Sequence, residues 1–317
     1  MTDFSSVLVT GGAGFIGSHL VNRLINENVN VVVLDNLFNG SLKNVEAHNE
    51  EASFRFVNGD VCDFENLKRV VADVECVVHL AAVTSVPFSV EQPTLTHKVN
   101  AIGTLNLLKA CLDSNVERFV FASSCAVYGE PHYLPIDEEH PVSPVSPYAV
   151  SKLAAEHHCK VFHESHGLKT VILRLFNVYG FGQGMNGEGG VVAKFIEQIR
   201  SGLPLIIYGD GEQTRDFVHV KDVIDAVLLA LKNEDAAGEV FNIGSGKHTS
   251  VNQLAKTVTD LVGVDLDAIY EEPRLGDIKQ SFANIRKAKK SLGYHPRITL
   301  RDGLKSLLRE EVKNLNV

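Results

Sequence analysis

Tyr148 and Lys152 lie four residues apart in Tyr148-Ala149-Val150-Ser151-Lys152, a spacing that puts both side chains on one face of a helix. Ser146 and Pro147 just before them offer an N-cap and a first-turn proline. A tyrosine is a poor base at its ordinary pKa of about 10. A nearby ammonium and a further positive charge would stabilise the phenolate and bring it toward working pH. A surface Tyr/Lys pair without chemistry has the same spacing, so the surrounding fold must decide. A third polar group comes from Phe121-Ala122-Ser123-Ser124-Cys125-Ala126-Val127-Tyr128-Gly129. There Ser124 is the candidate for hydrogen bonding a reacting hydroxyl, with Ser123 as the nearby alternative. Ser123 also reads as a turn hydroxyl bonded to backbone.

Upstream, Thr10-Gly11-Gly12-Ala13-Gly14-Phe15-Ile16-Gly17 follows an apolar run and leads straight into a helical pattern. Gly11, Gly14 and Gly17 permit a tight turn, close approach of a diphosphate to backbone N–H groups, and close helix–strand packing. Asp35 ends the second strand 18 residues after Gly17. A carboxylate there can accept from both adenosine ribose hydroxyls and would repel a 2′-phosphate, which favours NAD over NADP. Capping of a turn is the plainer role for the same residue. Asp60, in Gly59-Asp60-Val61, suits the adenine. His79-Leu80-Ala81-Ala82 closes the fourth strand with small residues that let backbone approach a cofactor, and His79 itself reads as a satisfied core histidine.

These groups need a frame. Apolar β-branched runs at Val7–Thr10, Val31–Asp35, Phe54–Asn58, Cys76–Leu80, Arg118–Ala122 and Thr170–Leu175 read as parallel strands covered on both faces. Helices fit between them at Ile16–Glu27, Asn66–Val71, Val99–Ser114 and Pro147–His166. The alternation implies βαβ units and an α/β, Rossmann-type, doubly wound parallel sheet with a smaller mixed α/β C-terminal substrate domain. Beyond a Gly/Asn-rich loop at Asn177–Gly190, a helix Val191–Ser201 and a strand Leu205–Tyr208 are expected; Val220–Lys232 and Glu239–Ile243 look like a return to the first domain. The expected division is 1–176 with 219–244 for the dinucleotide domain, and 177–218 with 245–317 for the substrate domain. From about Ser245 the reading is of short helices mixed with loops.

Net charge is −9, from 30 basic and 39 acidic residues, which argues against a nucleic-acid or membrane-surface binder. The five cysteines are an odd number without a C-x-x-C pair, so the expected setting is reducing and cytoplasmic, with no metal site. No run approaches the roughly 20 apolar residues of a membrane helix.

T-G-G-A-G-F-I-G, H-L-A-A, S-S-C-A-V-Y-G, Y-x-x-x-K and L-R-L-F-N-V-Y-G occur here in the order found in extended short-chain dehydrogenases/reductases. Over nearly its whole length the chain most resembles the UDP-glucose/UDP-galactose 4-epimerases and their UDP-N-acetylglucosamine-acting relatives. The resemblance implies NAD, a UDP-sugar substrate, and a homodimer formed through two helices per subunit. It implies cofactor contacts at Gly11, Gly14, Phe15, Ile16, Gly17, Asp35, Asn36, Asn39, Gly40, Asp60, Val61, Leu80, Ala81, Ala82 and Asn100, with Tyr148 and Lys152 both cofactor-facing and catalytic beside Ser124. It implies diphosphate contacts at Asn177, Arg215 and Arg274, a uridine ribose acceptor at Asp277, and a uracil pocket lined by Val192 and Tyr208. Thr84 and Ser281 fall at the sugar, where a serine leaves room for an N-acetyl group.

Dehydratases of the family carry an acid–base carboxylate pair directly after the hydroxyl-binding residue, and decarboxylases a glutamate two positions after it. Cys125 and Ala126 stand there instead. The expected reaction is therefore C4 epimerisation of a UDP-hexose, of the glucose/galactose or N-acetyl series, through a 4-keto sugar. The alternatives are a UDP-glucuronate 4-epimerase, which would want an extra cation near C6, and a non-catalytic NAD-binding regulatory protein.

Overall fold

The computed structural model describes residues 4–184, 189–264, 267–273 and 278–313. In chain order the first half runs β1 (Ser6–Thr10), α1 (Phe15–Asn26), β2 (Asn30–Asp35), β3 (Phe54–Asn58), α2 (Phe64–Val71), β4 (Cys76–His79), α3 (Val86–Glu91), α4 (Pro93–His97), α5 (Gly103–Asp113), β5 (Arg118–Ser124), α6 (Pro147–His166) and β6 (Lys169–Leu175). The second half runs β7 (Asn177–Tyr179), α7 (Val191–Arg200), β8 (Leu205–Tyr208), β9 (Thr214–Arg215), β10 (Phe217–His219), α8 (Val220–Lys232), β11 (Val240–Ile243), β12 (Thr249–Ser250), α9 (Val251–Val262), β13 (Ala268–Glu271) and α10 (Leu300–Lys313).

Seven strands form one parallel sheet in the order β11-β6-β5-β4-β1-β2-β3. The chain leaves β1 toward β2 and β3, then crosses back to β4, β5 and β6 on the other side. The C-terminal ends of β1 and β4 therefore flank a topological switch point, where open α/β sheets bind ligands. This is the doubly wound α/β fold expected from the sequence.

Continuous apolar strands need cover on both faces. On one face Leu20, Val21 and Leu24 of α1 pack with Val223 and Val227 of α8. On the other, Leu67 and Val70 of α2 pack with Leu107 and Leu108 of α5 and Ala155 and Cys159 of α6. A third cluster joins Val192, Phe195 and Ile196 of α7 to Leu254 and Val258 of α9 and Leu304 and Leu307 of α10.

Several elements differ from expectation. Helices α3 and α4 follow β4, in a stretch to which the sequence pattern assigns no element; Ser85 caps the first of them by accepting from the Phe88 N–H at 3.2 Å. The run 99–114 is not one regular helix, because Lys98–Ile102 winds as a wider π-type turn before α5. The region after Ser245 contains the full helices α9 and α10, and α9 begins with a reciprocal Ser250/Gln253 capping box.

Candidate active site

A cleft of about 850 Å³ opens across the C-terminal ends of the strands. Its floor is the turn after β1. Gly11 has φ +71°, and a Cβ there would lie 2.7 Å from the Ala81 nitrogen; a Cβ on Gly17 would lie 2.1 Å from the Gly11 carbonyl oxygen. The turn thus needs glycine both for its backbone and for its contacts. Helix α1 starts at Gly14 with no side-chain cap and no acid in its first turn, so its leading N–H groups face the cleft free of local competition. Phe15 and Ile16 also line this end.

Asp35 is buried at the end of β2, accepting from Ala13 N–H at 3.0 Å and Leu37 N–H at 2.8 Å. Burial raises its pKa against the pull of those two bonds. A Cβ on Gly40 would lie 3.0 Å from either Asp35 oxygen, so the glycine keeps a lane open beside the carboxylate. Asn39 lines the same lane. Asn36 donates to Asp60 at 3.0 Å and Cys62 N–H donates to it at 2.8 Å. Burial would raise Asp60, but these donors and the Lys98 charge bring it below the usual carboxylate range. Val61, Leu80, Ala81, Ala82 and the exposed Thr84 continue the wall. A glycine cradle, an uncapped helix start and a ribose-side carboxylate together fit a dinucleotide.

At the other end Ser124, Tyr148 and Lys152 converge on the cleft. Ser124 Oγ accepts from Ala126 N–H at 3.2 Å and is hydrogen-bonded to the Tyr148 phenol. Burial pushes Tyr148 up to about 12, countered by the Ser124 bond. The Lys152 ammonium donates to the Ala122 carbonyl at 2.8 Å and sits 4.9 Å from the Phe121 ring centroid. Burial pulls its pKa down to about 8.

Strand β7 pairs with β10, and Asn177 N–H donates to the Asp216 carbonyl at 3.0 Å, which brings Asn177 and Arg215 to one wall. Val192, at the start of α7, and Ser281 line it too. Ser281 is buried, its N–H donates to Thr214, and its hydroxyl is hydrogen-bonded to the Cys125 thiol.

Not every expected contact sits on the cleft. Asn100 lies behind its wall, exchanging two hydrogen bonds with the Val83 backbone and donating to Ser151, so its amide is spent on holding the loop after β4. Tyr208 ends β8 against Glu271 of β13 and is not among the described residues that line the cleft. Arg274 and Asp277 lie outside the described residues. Ser123 donates not to backbone but to the buried Glu156 carboxylate. His79 is satisfied at both ring nitrogens, by Thr10 at 2.7 Å and Thr104 at 2.9 Å.

Other residues went unread in the sequence. Phe38 and Gln183 line the cleft. Glu156 ties α6 to Ser123 of β5 and Arg174 of β6. Its signal was available: it lies one helical turn beyond Lys152 on the same face.

The model of the NAD dependent epimerase/dehydratase family matches residues 7–244. A UDP-glucose 4-epimerase of Mycolicibacterium smegmatis is 38% identical over 300 residues, covering 94% of this chain and 95% of that protein. The structure of UDP-glucose 4-epimerase from Thermotoga maritima with UDP-glucose is similar at 41% identity and a TM-score of 0.93, covering 98% of this chain and 99% of that one. That of a UDP-N-acetylglucosamine 4-epimerase from Methanobrevibacter ruminantium, in complex with UDP-N-acetylmuramic acid, is similar at 37% identity and a TM-score of 0.93, covering 99% and 100%.

Proposed function

The chain belongs to the NAD-dependent epimerase/dehydratase family, and we propose that it inverts the C4 hydroxyl of a UDP-hexose, accepting UDP-N-acetylglucosamine alongside UDP-glucose. One observation carries epimerisation over dehydration. Among the described lining residues the carboxylates are Asp35 and Asp60, both at the β2–β3 end of the cleft. Dehydration needs an acid–base pair beside the sugar, where Cys125 and Ala126 stand. Asp216 is close by, but it is buried and accepts from Ser245, Gly246 and Ala283.

Tyr148 is the base for the 4-hydroxyl proton, and Ser124, whose Oγ is fixed by the Ala126 N–H, donates its own proton toward the reacting oxygen. Burial holds the phenol up at about 12, so it needs positive charge beside it to act as a base near neutrality. The Lys152 ammonium, one helical turn along, donates to the Ala122 carbonyl and is one source of that charge. NAD, held by the Gly11 turn, Asp35 and Lys152, would supply a second positive charge and a reversible acceptor for the C4 hydride. The 4-keto sugar then turns about a diphosphate held by Arg215 and Asn177, to which the resemblance adds Arg274. Two cations and an amide gripping the diphosphate, with a loosely held ring, suit that turn.

Ser281 supports the N-acetyl series, since a small residue there leaves room that a bulky one would fill. The exposed apolar row Ile102, Val150 and Val161 on α5's approach and α6 supports a homodimer through those helices. No described helix is long and apolar enough to cross a membrane, and the free thiols agree with a cytoplasmic setting.

The purified protein, incubated separately with UDP-N-acetylglucosamine, UDP-glucose and UDP-glucuronate, tests the reading, with products assigned by proton NMR. A C4 epimer that disappears in Tyr148→Phe supports it, and loss of only the N-acetyl reaction in Ser281→Tyr supports the sugar assignment. No epimer from any of the three, with NAD supplied, refutes it.

A further inference from the structure

We propose that Phe38 and Phe88 form an aromatic clasp across the diphosphate channel, and that this clasp governs how fast NAD leaves; the inference rests on the cofactor lying along the Gly11 turn. Phe38 follows β2 and Phe88 stands on α3, which follows β4. Their ring centroids are 5.8 Å apart with planes at 61°, an edge-on pair. In the sheet, β1 lies between β4 and β2. A contact between residues that follow those two outer strands has to pass over the C-terminal end of β1. That end is the glycine turn, so whatever lies on the turn lies beneath the rings.

Both rings are deliberately placed by their own backbones. Leu37, next to Phe38, adopts φ +61°, a conformation leucine rarely takes. It is held there by the bond from its N–H to Asp35 at 2.8 Å, while Phe38 N–H donates to the Asn36 side chain at 3.1 Å. Asn36 is anchored in turn on Asp60. The clasp is therefore wired to the two carboxylates at the adenosine end. On the far side the Ser85 cap fixes Phe88 in the first turn of α3. Phe38 is 54% exposed, an apolar ring left largely in water yet lining the cleft together with Val86 and Pro87. With the exposed Val86 it makes an apolar patch on the rim of the cleft, the kind of surface that takes a ligand or partner. The alternative, a stray surface aromatic, does not account for the strained leucine or the partner ring.

The clasp adds no chemistry. It raises the barrier to escape for a cofactor that each catalytic cycle regenerates and that has no need to exchange.

The test loads the protein with NADH, chases with excess NAD, and follows nicotinamide emission; the chain contains no tryptophan to interfere. Phe38→Ala and Phe88→Ala should each release NADH roughly three- to tenfold faster, the scale of one aromatic pair. The double variant should be no faster than either single one, and Phe38→Tyr should restore the original rate. Unchanged release in the single variants, or a double variant equal to their product, overturns the clasp. If Phe88→Ala fails to fold, Phe38→Ala against Phe38→Tyr decides alone, because Phe38 lies at the surface. A wild-type protein that holds no NADH removes the cofactor premise itself, a result distinct from release at an unaltered rate.

Discussion

Arg174 donates from Nε and Nη2 to the two carboxylate oxygens of Glu156, at 2.9 and 2.7 Å, with both side chains buried. The same carboxylate accepts from the Ser123 hydroxyl, and Arg174 also donates to the Tyr128 phenol at 2.9 Å, which in turn donates to the Asn242 amide oxygen at 2.7 Å. The helix of Tyr148 and Lys152 is thereby bolted to the strand end that carries Ser124. A buried pair contributes little net stability, but removing one partner strands a charge, at about 3 to 5 kcal/mol. Glu156→Gln should lose about that much in urea unfolding, and Glu156→Gln with Arg174→Met should recover much of it. If the single variant melts like wild type, the pair is not what holds the two elements together.

Acid should find two buried histidines. Burial, aided by the Lys152 charge, depresses His79 to about 3, and burial, aided by Lys221 and His19, depresses His219 to about 4, from an ordinary 6.5. In the unfolded chain each takes up its proton near 6.5; in the folded protein each waits until about 3 or 4. Between those values the unfolded state binds more protons, so stability falls as pH drops, by up to about 1.4 kcal/mol per unit for each histidine. Thermal melts from pH 7 to 4.5 should show a shallower decline in His79→Asn than in wild type, whatever its starting stability. Parallel declines would remove His79 from the account.

Gly17→Ala should abolish NAD binding. Its new Cβ would lie 2.1 Å from the Gly11 carbonyl oxygen and 2.7 Å from the Gly12 Cα, both backbone positions that cannot swing aside. The turn must open, and the helix start moves with it. Calorimetric titration with NAD is the check, with circular dichroism to show that the fold persists. An affinity within threefold of wild type would mean that the turn yields cheaply.

Cys125 sits one residue from Ser124 and invites a catalytic reading, which its surroundings oppose. Burial pushes its thiol up to about 11, more than Arg215 and the Ser281 bond pull it down. At neutral pH it is a thiol and a poor nucleophile. Cys125→Ser should keep epimerase turnover within about threefold, and iodoacetamide should not inactivate the native protein. A loss beyond a hundredfold in the serine variant would restore the cysteine to the mechanism.

The strands, the glycine turn and the Tyr148/Lys152 pair were legible because each is a local pattern. β-branched runs mark buried parallel strands, and a four-residue spacing marks a helix face. The Ser123–Glu156–Arg174 group was not, since its members are separated by 33 and 18 residues and meet only when β5, β6 and α6 pack. Asp216 likewise accepts from Ala283, 67 residues on. Asn100 is ambiguous for the opposite reason: an amide that suits a ligand suits the Val83 backbone equally well, and its side chain bonds there. Helix α3 was legible in principle, as Ser85-Val86-Pro87 is a cap followed by a second-position proline, but its six residues are too few for a periodic signal.

Five of the ten named helices close their own beginnings: Asp63, Ser85, Ser146, His219 and Ser250 each cap one with a side chain. Helices α1 and α7 begin instead at Gly14 and Gly190, without side-chain caps, and both glycines border the cleft. A dinucleotide whose diphosphate closed the Gly14 start would couple folding to ligand supply. At a dinucleotide concentration a hundred times its dissociation constant, occupancy adds about 2.7 kcal/mol to the folded state. Under that linkage, resistance to proteases would follow cofactor supply: chains made when the dinucleotide is plentiful would outlast chains made when it is scarce.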